Sequence, residues 1–337
     1  MPDSVQARPD SQGLDDSVKV IRCPAPEPGS DIVRRAIAFA NRCLHGEITP
    51  GSGWLKQWRS AQVRAELEAA QYVEIHWSAF LPLIAGVREV TTATCAIVEH
   101  DVHAQGLRRR ARSDRRMLRR VAAKVASRIA ARMEARLCNA YDEVLVYSDK
   151  DRQLLRRMGV TIPIEQIDFL VPWPAQPAPL SSRTVLFTGA LYRPENHQSA
   201  VWLIERVWPR VLDACPDARL VIAGSNPATS LLDRAGTDVT VHGFVEDLLD
   251  LYTKARVFAA PLVLGAGVKV KVLEAAAVGL PIVSTSIGAE GYPDEILTRA
   301  DDPTDFDDGL IHFLTDDGAA STSARVARTW AKSRPAA

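Results

Sequence analysis

Long apolar runs are missing from this chain of 337 residues. The stretch 80–87 is typical of what is present, well short of the ~18 residues that a membrane span needs. Cysteine is scarce. The five residues Cys23, Cys43, Cys95, Cys138 and Cys215 are odd in number and widely scattered. That spacing excludes a disulfide framework and a zinc module of paired cysteines, and it fits a reducing cytoplasm. An excess of either charge is absent as well, with 41 basic against 41 acidic residues. No global field therefore argues for nucleic acid or for an acidic partner. The rest of the composition, 47% hydrophobic and 24% charged, is that of an ordinary soluble protein. Its length suggests about two domains, each able to bury a core. Residues 1–16 are polar and acidic, which predicts a disordered N-terminus rather than a signal peptide.

The pattern along the chain alternates strand and helix. A strand is expected at 18–22, a proline-rich loop at 23–30, a helix to about 44 and another at 61–70. Strands follow at 72–76 and 94–98, then a long helix at 108–138. Its apolar residues Met117, Val121, Val125, Ile129, Met133 and Leu137 recur at four-residue steps. A strand at 143–147 and a helix at 149–157 complete the first half. Prolines 172, 174, 177 and 179 mark residues 169–183 as a linker. A second alternation runs from a strand at 184–188 to a last helix at 323–332. The order predicts an α/β protein of two Rossmann-like halves: an N-terminal domain at 17–168 and a C-terminal domain at 184–337. No glycine-rich loop precedes the first strand, and that the first half is incomplete is implied by a family resemblance rather than by this pattern.

Open parallel sheets bind ligands at the C-terminal ends of their strands. In the second half, those ends carry Gly189-Ala190-Leu191, Gly224-Ser225-Asn226, and the loop Leu264-Gly265-Ala266-Gly267-Val268-Lys269. Two glycines let backbone N–H groups come close to an anion, and the helix that follows points its positive end at the same place. Lys269 and Lys271 add charge where lysine is otherwise rare, with eight in the chain against 33 arginines. Glu274 lies three residues beyond Lys271 on the same helix face, where a carboxylate could accept from a ribose diol. Phosphate donors and a ribose acceptor at one helix start describe a nucleotide-diphosphate site. The plainer alternative is a tight turn followed by a surface ion pair worth under ~1 kcal/mol.

The stretch 185–292 resembles the C-terminal domain of family 4 glycosyltransferases (glycosyl transferases group 1). The resemblance rests on Phe187-Thr188-Gly189, Pro194-Glu195-Asn196, Val221-Ile222-Ala223-Gly224 and Gly243-Phe244-Val245-Glu246-Asp247. It continues through Ala260-Pro261-Leu262 and Gly265-x-Gly267-x-Lys269-x-Lys271-Val272-Leu273-Glu274-Ala275, and ends with Gly279-x-Pro281 and Glu290-Gly291. It implies the GT-B architecture and a retaining glycosyltransferase. The partners implied are a nucleotide-diphosphate sugar donor and a glycan or glycolipid acceptor, with no cofactor and no metal. Carried over, Glu274 is the ribose carboxylate, and Lys271 and Lys269 neutralise the diphosphate. Gly189, Ala190, Arg193, Gly265 and Gly267 border the phosphates, and Phe244 and Val245 border the base. Ala266 stands where the family often has a second glutamate. That departure supports the alternative of a non-catalytic nucleotide-sugar or glycan-binding protein.

In the first half, Glu99-His100-Asp101-Val102-His103 follows a strand. The resemblance, weaker there, puts His100 at the cleft, against the transferred sugar or the acceptor. A metal site is the lesser reading, because no second cluster completes it. The segment from Leu107 to Arg136 holds twelve basic residues against Asp114 and Glu134. Together with its apolar stripe, part of which should pack on the sheet, it is expected to bring the protein to an anionic membrane surface. It has no aromatic residue for base stacking, which weighs against nucleic acid. The expected location is cytoplasmic, peripheral on the inner face of the cell membrane.

Overall fold

The structure is a computed structural model that describes residues 61–77, 87–113, 117–171, 174 and 176–334. The sequence expectations for residues 1–60, including the disordered terminus and the strand at 18–22, lie outside these. The chain forms two compact units, Met1–Val73 with Phe80–Cys95, and Glu74–Ala79 with Ala96–Ala337. The described part of the first holds helix α1 (Ala61–Ala69) and the start of strand β1 (Tyr72–His76). It also holds one 3-10 turn (Val87–Glu89) and the start of β2 (Thr94–Glu99), with Val87, Thr91, Ala93 and Cys95 buried.

The second unit carries two sheets. After β2 come α2 (His103–Ser113), α3 (Met117–Cys138), β3 (Glu143–Val146), α4 (Asp149–Met158) and β4 (Ile164–Gln166). The sheet order is β1-β2-β3-β4, and the pairs β2–β3 and β3–β4 are parallel. Helix α4 is defined at both ends. The Ser148 side chain accepts from the Asp151 N–H, and Gly159 closes the helix in the left-handed conformation at φ 101°.

The next elements are β5 (Thr184–Thr188), α5 (Pro194–Trp202), α6 (Trp208–Ala214), β6 (Arg219–Ala223) and α7 (Thr229–Leu232). They are followed by β7 (Val239–His242), α8 (Leu248–Lys254), β8 (Val257–Ala260), α9 (Val270–Val278), β9 (Ile282–Ser284), β10 (Thr298–Arg299), α10 (Pro303–Thr315) and α11 (Asp317–Lys332). The six-stranded sheet has the order β10-β9-β8-β5-β6-β7 and parallel pairs throughout. Its direction of winding reverses between β5 and β8, which opens a crevice at their C-terminal ends. Separate apolar clusters cover its two faces. One is built around Phe187, Leu220, Ile222 and Phe306, the other around Leu186, Phe258, Val272 and Ile282.

Three expectations change. The single helix at 108–138 is two helices, and the first starts at His103, where the Glu134 carboxylate accepts from the His103 and Ala104 N–H groups. The helix expected at 196–212 is interrupted by a π-helical turn at Leu203–Val207, just ahead of Pro209. The stripe at four-residue steps on α3 does not pack inward. Met117 is 79% exposed, and Val121, Val125, Ile129 and Met133 are all exposed. The buried face of α3 is instead Ser127, Ala130, Glu134, Ala135 and Cys138, small or polar side chains that let it pack closely.

Close backbone approach shapes the strand ends. A Cβ on Gly224, after β6, would stand 1.6 Å from the Gly189 carbonyl oxygen, after β5. We expect Gly224→Ala to lower stability by about 3 kcal/mol, a typical overpacking cost, seen as a reduced urea midpoint. An unchanged midpoint would mean that these turns do not touch.

Candidate functional site

Two turns meet at the crevice, and a third lies at the sheet edge. Gly189 and Ala190 follow β5, and the loop 261–269 follows β8 and leads into α9. Gly243–Val245 follows β7 at the sheet edge. Lys269 is the N-cap of α9 without a side-chain cap hydrogen bond, so the first turn of the helix keeps free N–H donors. Two residues on, Lys271 turns its ammonium toward the β5 turn. It donates to Asn196 Oδ1 at 3.0 Å and lies 4.7 Å from the Phe187 ring centre. The Asn196 amide N–H in turn donates to the Ala190 carbonyl at 3.0 Å. A Cβ on Gly189 would be 2.6 Å from Lys271 Nζ, so only glycine leaves the ammonium its place.

Glu274 is held from behind. Its Oε2 accepts from the buried Tyr252 hydroxyl at 2.8 Å, and Tyr252 also contacts Thr188 Oγ1 at 3.0 Å. Burial, then the Glu274 charge, raises the Tyr252 pKa, so the phenol remains a donor. Lys269 Nζ donates to the Ala266 carbonyl at 2.7 Å and to the Gly267 carbonyl. Ala266 thus presents backbone to the loop in the place of the family's second glutamate. Phe244 is 79% exposed and Val245 is half-buried. Arg193 is exposed and stands 3.8 Å from Glu195, and none of its side-chain hydrogen bonds reaches the lysine cluster.

His100 lies at the end of β2. Its Nε2 is 2.9 Å from His76 Nδ1, and its ring centre is 4.4 Å from that of Trp77 and 5.2 Å from that of Tyr147. Burial lowers its pKa first and the neighbouring His76 lowers it further, against the pull of Asp101, which favours a neutral imidazole. The main chain here meets the loop after β8. Gly267 has φ 71°, and a Cβ on it would be 2.3 Å from the His100 carbonyl oxygen. Among the described residues, no three His, Cys, Asp or Glu side chains come together as metal ligands.

Three residues of this arrangement, Arg109, Lys150 and Tyr252, were not found from the sequence. Arg109 on α2 donates to the Gly265 carbonyl at 2.6 Å and forms a two-pronged ion pair with Glu290. Lys150 adds a second cation 3.4 Å from Glu290. The sequence alone showed only Glu290-Gly291 as part of a motif. It gave no sign of Arg109, which is one of many arginines. Tyr252 was equally silent, and Asn196 showed only within the motif Pro194-Glu195-Asn196, because their roles depend on partners far along the chain.

The parallel sheet with its switch point between β5 and β8 is that of a GT-B type fold, and the helix start without a side-chain cap, with Lys269 and Lys271 beside it, is its candidate site. Residues 182–316 match the model of the family glycosyl transferases group 1. An uncharacterized 44.6 kDa protein in the cps region of Klebsiella pneumoniae is 32% identical over 162 residues, 45% of this chain and 42% of that protein. The chain therefore spans less than half the length of that curated relative. Among solved structures, sucrose-phosphate synthase from Thermosynechococcus elongatus superposes with a TM-score of 0.65 at 15% identity, covering 84% of this chain and 73% of the other. Anabaena HepE in complex with UDP and glucose gives 0.62 at 16% identity, covering 81% and 76%. The UDP-forming trehalose-phosphate synthase from Burkholderia xenovorans gives 0.60 at 12%, covering 86% and 78%. At these identities the likeness establishes the fold.

Burial, with the neighbouring Lys269 charge, pushes the Lys271 pKa down to about 7, and burial pushes that of Lys269 down to about 8. In the unfolded chain both return toward the ordinary lysine value near 10.4. Between about pH 7 and 10 the unfolded chain therefore binds more protons, and stability rises with pH. We expect the urea midpoint to rise from pH 7 to pH 9, and the rise to flatten in Lys271→Met. The same slope in both proteins would place the Lys271 ammonium in solvent.

Proposed function

We propose that the protein is a glycosyltransferase that moves a sugar from a nucleoside diphosphate sugar, with UDP as the nucleotide, to a glycan or lipid-linked acceptor with retention of configuration. The observation that carries this reading is the convergence of Lys271, Asn196 and the open start of α9 on the turn after β5, with Glu274 anchored by Tyr252 beside them. Lys271, Lys269 and the helix start supply positive charge where a diphosphate departs as the acceptor oxygen bonds to the anomeric carbon. Glu274 accepts from the ribose hydroxyls. Gly189, Ala190, Gly265 and Gly267 let the backbone approach the phosphates, and Phe244 and Val245 border the base. Residues 184–337 hold the donor, and the half that ends before the linker 169–183 holds the acceptor. His100, with Trp77 packed on its ring, faces the sugar.

We place the protein in the cytoplasm, at the inner face of the cell membrane. No helix among the described residues is long and apolar enough to cross a membrane. The support for a surface role is α3. Its exposed stripe Met117, Val121, Val125, Ile129 and Met133 runs beside an exposed basic row, Arg120, Lys124, Arg128, Arg132 and Arg136. Apolar and basic rows side by side suit the interface of an anionic bilayer.

Glu274→Gln should weaken UDP binding about tenfold, the lower end of what a charged hydrogen bond contributes, as read by calorimetry. His100→Ala should leave UDP affinity in place and lower turnover of a UDP-sugar. Unchanged UDP affinity in the glutamine variant would refute the donor site, and full turnover in the alanine variant would reduce His100 to packing.

Binding to vesicles rich in phosphatidylglycerol should fall steeply with salt, since exposed charges are screened over about 8 Å at physiological ionic strength. Co-sedimentation indifferent to lipid charge and to salt would refute the membrane role.

A further inference from the structure

A second cationic site lies away from Lys271. Helices α2, α3 and α4 enclose a cavity of about 390 Å³. Its polar lining is Gln105, Arg108 and Arg109 from α2, with Lys124, Ser127 and Arg128 from α3, and among the described residues no acidic side chain lines it. Arg109 is already committed to Gly265 and Glu290. Among the described residues, the side chains of Arg108, Lys124 and Arg128 have neither an ion pair nor a hydrogen bond. Elsewhere in the fold other arginines find partners: Arg210 pairs with Asp307, Arg234 with Glu205 and Arg256 with Asp317. Three unpaired cations around one cavity repel each other, and an anion with several acceptor oxygens relieves that repulsion. Guanidinium groups match phosphate oxygens in a two-pronged geometry.

We propose that this cavity binds a phosphate or diphosphate group as an anion site separate from the donor site. The inference rests on the reading of Lys271 and Glu274 as the donor site, which leaves this cavity to the acceptor. Two features connect it to that role. Arg109 lines the cavity and also holds the Gly265 carbonyl of the donor loop, so an anion bound there lies one side chain from that loop. Lys124 and Arg128 belong to the basic row next to the exposed stripe of α3, so a ligand with a phosphate head and an apolar tail meets complementary surface along its length.

The probe is inorganic pyrophosphate, titrated calorimetrically into protein saturated with UDP. One further pyrophosphate per chain should bind, and Lys124→Gln with Arg128→Gln should weaken it at least tenfold while leaving UDP affinity unchanged. Both side chains are exposed on a helix, and the retained UDP affinity reports that the variant is folded. No pyrophosphate binding beyond the site that UDP fills, or binding indifferent to the two substitutions, would overturn the proposal. If UDP itself does not bind, the donor reading fails, and pyrophosphate binding to the two proteins still decides the cavity.

Vesicles separate the sources of the phosphate. Stronger binding to phosphatidic acid than to phosphatidylserine at matched charge, lost in the variant and competed by pyrophosphate, supports a lipid headgroup. Equal binding to both lipids, with pyrophosphate still bound by the wild type and weakened in the variant, supports a soluble phosphate ligand.

Discussion

Lys271 has to place an ammonium between the Phe187 ring, the Asn196 carbonyl oxygen and the turn at Gly189, and much of the site follows from that. The lysine sits on α9, which packs over the sheet, and the turn belongs to β5, so the sheet must hold β5 and β8 side by side. The turn must be glycine because any Cβ would take the ammonium's space. Asn196 must be buried, since it links the lysine to the Ala190 carbonyl and is itself only 7% exposed. Glu274, on the same face of the helix, and Tyr252 complete the same packing. A partly buried cation of this kind is costly without polar partners, and each of these neighbours offsets part of that cost.

A second constraint couples this region to the elements before the linker. Arg109 bridges the Gly265 carbonyl and the Glu290 carboxylate, with side chains 23% and 10% exposed. Removing one member of such a pair leaves a poorly solvated charge behind. Lys150, which also pairs with Asp151, limits that cost on the Glu290 side. The contact of Gly267 with the His100 carbonyl lies on the same loop. The loop after β8 is therefore fixed at two points, by an arginine from α2 and by the backbone after β2, and its geometry does not rest on the six-stranded sheet alone.

Much of this was legible in the sequence, for a physical reason. Lys271 and Glu274 are three residues apart on one helix, and helical spacing alone brings them to one face. Gly189, Gly224 and Gly267 mark close approaches that a Cβ would prevent. The alternation of apolar strands and amphipathic helices gave both sheets, though not the short strands β4 and β10. What could not be read depended on long-range partners. Asn196 and Lys271 are 75 residues apart, Arg109 and Glu290 181. The α3 stripe shows a different limit. A four-residue repeat reveals that a helix has an apolar face without saying which face meets the sheet. Here close packing is provided by Ala130, Ala135 and Ser127, and the larger residues are left outside.

The charge state of the site is adjustable because its principal cation is partly buried. With a pKa lowered to about 7, Lys271 is only partly protonated near neutrality. An anion arriving beside it favours the protonated form, so binding and proton uptake are linked. The Tyr252 phenol has no such freedom, since its pKa is raised and it stays a donor to Glu274. One side of the site thus adapts its charge to what is bound while the other holds its hydrogen-bond direction. That division suits a ligand whose diphosphate gains charge as it leaves and whose ribose does not change, because only the phosphate end then needs a response from the protein.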